Sequence, residues 1–101
     1  MKQATQNQLM NTESFEAFKA HWLAHGFDEV LERDWAPDTV LETHSHPFVA
    51  QALVTRGEMW LGVNGKTLHL RPGDSFALER DAPHTERYGP EGATYWVARK
   101  N

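Results

Sequence analysis

The stretch Val40-Leu41-Glu42-Thr43-His44-Ser45-His46-Pro47-Phe48-Val49-Ala50-Gln51 decides how the rest of the chain is read. It alternates like a β-strand, whose side-chain period of two sends His44 and His46 to one face and Ser45 to the other. If that face looks into a barrel, the two imidazoles can hold one metal ion between them. A third imidazole, His84, stands well downstream, after the turn Arg80-Asp81-Ala82-Pro83.

Around this stretch the chain reads as short strands separated by turns. The spacing predicts strands over 27–35, 40–46, 48–55, 58–63, 66–70, 75–79, 84–88 and 93–99. Asn64-Gly65 is a two-residue hairpin signal, so the segments on either side of it should pair antiparallel. Arg71-Pro72-Gly73-Asp74 is a turn in which proline presets the entry and glycine supplies a positive φ. Further breaks are expected at Ala36-Pro37-Asp38, Arg56-Gly57 and Gly89-Pro90-Glu91-Gly92. This many antiparallel strands indicate an all-β sandwich or barrel.

Upstream the pattern is helical over 12–26, with Phe15, Phe18, Trp22 and Leu23 as one apolar stripe. Thr12 is a candidate N-cap, and Gly26 a candidate left-handed stop with Phe27 folding back. His21 and His25 lie four apart on this helix, but no carboxylate completes a metal motif and they read as surface histidines. Residues 1–11 are polar and amide-rich, either a flexible lead-in or an arm laid across a partner subunit.

The 101 residues, 40% of them apolar, suit a single domain with one packed core, so residues 27–101 form the barrel and no second domain is expected. A net charge of −4 with interspersed signs offers no basic track for direct nucleic-acid binding. With no cysteine, any metal must be held by nitrogen and oxygen. No secretory signal or membrane span is read, and the expectation is a soluble cytoplasmic protein.

In these positions the chain resembles a small single-domain member of the cupin superfamily. The first cupin motif is matched by His44-Ser45-His46, Gln51 where many members carry glutamate, and Gly57; the second by Gly65, Pro72-Gly73-Asp74 and Pro83-His84. The likeness spans residues 28–99. It implies a double-stranded β-helix (jelly-roll) barrel preceded by one N-terminal helix. It also implies a divalent metal ion, iron, manganese, nickel, zinc or copper, bound by His44, His46, His84 and the residue at the glutamate position. That residue is Gln51, whose neutral amide ligates less well than a carboxylate and leaves the site more positive; it either ligates, holds a water, or leaves a three-histidine site.

Without a metal the imidazoles would be buried polar groups, each costing about 1–3 kcal/mol if unpartnered against a total stability of about 5–15 kcal/mol. A hydrated, metal-free pocket is the alternative. Phe48, Trp60, Phe76, Leu78 and Trp96, with Tyr95, are candidate pocket walls by parity. Glu42 and Glu86 share parity with the histidines and could accept a proton, although the plainer reading of each is a surface or salt-bridged carboxylate.

Two functions follow. One is a metal-dependent oxygenase, isomerase or decarboxylase acting on a small organic acid or carbonyl compound. The other is a non-catalytic module that binds or senses a small ligand. A homodimer is expected through an exposed sheet edge or the N-terminal segment.

Overall fold

The structure, a computed structural model, describes residues 14–101. It holds helix α1 (Phe15–Ala24) and strands β1 (Glu29–Trp35), β2 (Val40–His44), β3 (Val49–Val63), β4 (Lys66–Leu70), β5 (Ser75–Leu78) and β6 (His84–Lys100). The lead-in and the Thr12 cap lie outside the described residues.

The cap of α1 is Ser14, whose hydroxyl accepts from the Ala17 N–H at 3.1 Å. The helix ends at its glycine as expected: Gly26 has φ 86°, its N–H bonds the Leu23 carbonyl at 3.2 Å, and Phe27 N–H reaches the Trp22 carbonyl at 3.1 Å. Phe18 is buried against Val30 of β1 and Ala98 of β6, and Phe15 and Trp22 are half-buried beside it. Leu23 is exposed, contrary to the stripe expected of it. One residue past Trp22 turns a side chain about 100° around the helix, beyond the narrow line of contact with the sheet.

Two long strands carry the barrel. Where the sequence predicts four short strands, β3 and β6 run unbroken and antiparallel, from Val49 opposite Lys100 to Val63 opposite His84. The turns expected at Arg56-Gly57 and at 89–92 are bulges instead, with the register slipping between Val54 and Arg56 and between Gly57 and Met59. Gly57 and Gly92 both have positive φ, and a Cβ on Gly57 would stand 2.0 Å from the Gly92 carbonyl oxygen. Two glycines abutting at one level let both strands bend together, which rolls the sheet without ending either strand.

The remaining strands divide these two between them. Along β6, β2 pairs with the N-terminal part and β1 with the C-terminal part; along β3, β5 pairs with the first half and β4 with the second. Asn64 and Gly65, at φ 55° and 75°, make the hairpin between β3 and β4 that their identities predict. The result is the double-stranded β-helix barrel. Val54, Met59, Leu61 and Tyr88 fill its interior, and a smaller core lies between the sheet and α1. Burying one side chain such as Phe18 contributes about 1.5–3 kcal/mol. Among the described residues no helix is long and apolar enough to cross a membrane.

Candidate metal centre

One loop and two strand ends bring the three histidines together. β2 stops at His44, two residues short of the predicted end, because a register shift follows Leu41 and Pro47 has no N–H to offer a ladder. His46 therefore sits in a loop, which the backbone N–H of Asp81 ties down by bonding the His46 carbonyl at 2.7 Å. Asp81 adopts φ 62° to do so. His84 opens β6 directly opposite His44. The ring centroids lie 4.3 Å apart for His44 and His84, 5.0 Å for His44 and His46, and 5.3 Å for His46 and His84.

The fourth member is Glu86. It follows His84 by one strand period, is 5% exposed, and places Oε2 3.2 Å from Nε2 of both His44 and His84. Its Oε1 accepts a hydrogen bond from the buried Tyr88 hydroxyl, one further period along β6. Ligand atoms of His44, His46, His84 and Glu86 all fall within 4.8 Å of one another. Sequence parity had set Glu86 beside the histidines; its burial is what a single sequence hides.

Gln51 does not join them. It pairs with Ala98, while its neighbour Ala50, opposite Arg99, lines the cavity. Cross-strand partners share a face, so Gln51 lies on the face that carries Leu53, Trp96 and Ala98 toward α1. The expectation of a fourth ligand there is thus corrected. Trp60 and Trp96 are likewise off the wall. Trp60 alternates with the buried Met59 and Leu61 and stacks outside against His69 at 4.5 Å, whereas Trp96 packs on Phe15 and Phe18 and donates its indole N–H to Glu32. Phe48, Phe76, Leu78 and Tyr95 do line the cavity, and Glu42 stands at its rim, exposed.

The donor chemistry of the cluster can be worked out atom by atom. Nδ1 of His44 meets the Glu42 carbonyl at 2.7 Å and Nδ1 of His84 meets the Ala82 carbonyl at 3.0 Å. A carbonyl only accepts, so both Nδ1 atoms carry the proton, and in the neutral rings both Nε2 atoms are bare lone pairs. These lone pairs face Oε2 of Glu86, itself an acceptor. Nε2 of His84 is buried and, despite its 3.2 Å approach to Oε2, has no aligned hydrogen bond among the described residues. Acceptors facing acceptors repel unless a cation, an added proton or a metal ion, lies between them. The carbonyl-held Nδ1–H is also the arrangement that orients metal-ligating imidazoles. The residues present fit a divalent ion with nitrogen and oxygen ligands.

Burial, followed by the neighbouring His44 and His84, holds the pKa of His46 below its ordinary 6.5; Arg99 adds to this and Glu86 opposes it. Burial also pushes the Tyr88 and Tyr95 phenols up, so both stay protonated at neutral pH. The cluster opens on a cavity of about 500 Å³, mostly apolar but with Arg33 and Arg99 on its wall.

A family model of the cupin domain matches residues 31–97. The chain belongs to the cupin family. Among solved structures, this cupin superposes on a crystal structure of DMSP lyases with a TM-score of 0.66 and 22% identity, covering 71% of this chain and 37% of that one. It superposes on oxalate oxidase in complex with the substrate analogue glycolate with a TM-score of 0.63 and 23% identity, covering 71% and 41%. At such identities the likeness establishes the fold alone. A curated relative, an uncharacterized HTH-type transcriptional regulator of Haemophilus influenzae, is 44% identical over 36 residues, which are 36% of this chain and 12% of the regulator. The chain thus spans well under half the length of these relatives.

Proposed function

We propose that this cupin holds one divalent metal ion on His44, His46, His84 and Glu86, and binds or transforms a small organic acid or carbonyl compound there. The observation that carries the reading is Nε2 of His84, a buried lone pair without an aligned partner, 3.2 Å from Oε2 of Glu86 and within 4.8 Å of the ligand atoms of His44 and His46. A divalent ion bound at that point supplies a Lewis acid that polarises a carbonyl or carboxylate oxygen. The donor set suits iron, manganese, nickel, zinc or copper.

The protein's own residues do the rest. The Glu42 and Ala82 carbonyls fix the two tautomers, the Tyr88 hydroxyl holds Glu86 with Oε2 inward, and Phe48, Phe76 and Leu78 keep water from the inner wall. Glu86 offsets part of the cation's charge, and the net positive charge left over favours an anionic ligand. The test is a titration of metal-free protein with each ion, then oxygen uptake and product analysis with small organic acids for wild type and His46→Ala. Metal-dependent turnover lost in the variant supports an enzyme.

The second reading, a sensing module without turnover, draws on the short similarity to the HTH-type regulator. Ligand binding that needs the metal but gives no product supports it. We also propose a homodimer, because β1 and β2 each pair with β6 on one side and leave the other edge unpaired among the described residues. A light-scattering mass of 11.5 kDa at working concentration excludes it.

A further inference from the structure

We infer that Arg99 seats a second anionic group of the ligand, so that the centre prefers a small dicarboxylate to a monocarboxylate or a neutral carbonyl compound. The inference rests on the reading of the centre given above.

Arg99 stands on the inner face of β6, opposite Ala50, whose short side chain leaves room above it. Its guanidinium lies over the Phe48 ring at 4.7 Å, and the same ring stacks on His46 at 5.0 Å and 8°. Phe48 thereby touches both the arginine and the metal cluster. Stacking on a ring covers the face of a guanidinium and leaves its in-plane N–H donors for a carboxylate, which they match in a two-point fork.

Those donors are unclaimed. Among the described residues the Arg99 side chain makes no hydrogen bond; Nε is closed to solvent and unpartnered, and the contact of Nη1 with Glu29 is 3.8 Å, to a half-exposed carboxylate at a strand end. The other cavity carboxylates are elsewhere, Glu86 among the histidines and Glu42 at the exposed rim. Arg33 stands apart from the histidines. It pairs with Tyr95 whereas Arg99 pairs with Glu29, four residues along β1 and roughly 13 Å away, and its guanidinium lies over Trp35 and not over the ring that stacks on His46. A lined cavity with a metal cluster and an uncommitted guanidinium joined by one aromatic ring is built for a ligand that is charged at both ends.

Succinate and butyrate test this directly, since they share a chain length and differ by one carboxylate. Binding of each is measured by calorimetry to zinc-loaded and to metal-free full chain, for wild type, Arg99→Gln and Arg99→Lys. Zinc-loaded wild type should prefer succinate by about tenfold or more, and Arg99→Gln should bring succinate to within about threefold of butyrate. Arg99→Lys, which keeps the charge without the fork, should lose a few fold and carries the test if the glutamine variant does not fold. Equal affinity for the two acids in wild type, or full succinate affinity in both variants, overturns the inference. Zinc titration fails separately: if wild type takes up no zinc, the centre as read is wrong, and an Arg99-dependent preference for succinate in metal-free protein then decides whether the anion seat stands alone.

Discussion

The Tyr88 hydroxyl donates to Oε1 of Glu86, two residues back along the same face of β6. The bond leaves Oε2 as the oxygen presented to His44 and His84. Tyr88 is 1% exposed, and burial holds its phenol protonated, so the donor persists across the working pH range. Removing it with Tyr88→Phe leaves a buried carboxylate oxygen unpartnered, and outer-shell partners of this kind are worth about 10–100-fold in metal affinity. Calorimetric zinc titration of Tyr88→Phe should show a loss in that range with the circular dichroism of the fold retained. An unchanged affinity would mean that Glu86 is held by something else.

Glu86 and Gln51 make opposite predictions. Glu86→Gln keeps the shape and removes the charge, so zinc affinity should fall at least about tenfold, a charged ligand being the stronger one for a divalent cation. Gln51 lies on the α1 side of β3, and Gln51→Ala should leave the affinity within about twofold. The reverse ranking in a side-by-side titration would return the fourth position to Gln51.

This contrast shows where the sequence stops being readable. An antiparallel all-β sandwich or barrel was legible from signals such as Asn64-Gly65, whereas the convergence of the three histidines came from the cupin resemblance, because His46 lies in a loop and not on the strand whose period would pair it with His44. Gln51 misled because its expected role rests on the glutamate position of the cupin motif, whereas in β3 it pairs with Ala98 on the α1 side and its neighbour Ala50 takes the cavity face. Glu86 stays in the same strand as His84, and parity held there, but burial of a carboxylate depends on Tyr88 and on β2 lying opposite, neither visible locally. Gly57 and Gly92 looked like ordinary turn glycines, since only the packed barrel sets one against the other.

Metal-free protein should lose stability in acid through His46. Its folded pKa lies below the ordinary 6.5, so between the two values the unfolded chain binds more protons and stability rises with pH. Well above 6.5 the group contributes no pH dependence; as pH falls through 6.5 stability is lost, and the loss levels off below the folded pKa. Urea unfolding of chelator-treated protein from pH 8 to 5 should show this slope, and His46→Asn should flatten it. An equal slope in the variant would assign the acid sensitivity to other groups.

The rolling of the sheet depends on Gly57 more than on any turn. At φ 74° an alanine is strained, and its Cβ would stand 2.0 Å from the backbone oxygen of Gly92, which no rotamer change relieves. Shifting either strand to make room disturbs β3 and β6, the two elements against which all the others pair. Gly57→Ala should therefore cost about 3 kcal/mol or more, at the high end for a point substitution, and lower Tm by about 12–24 °C for a domain of this size. Gly65→Ala is the matched comparison. It too has positive φ, at 75°, but its Cβ meets nothing within 4 Å, so it pays conformational strain alone and should cost about 1 kcal/mol. Thermal unfolding that ranks the two equally would mean that the close approach of Gly57 to Gly92 does not hold the bend.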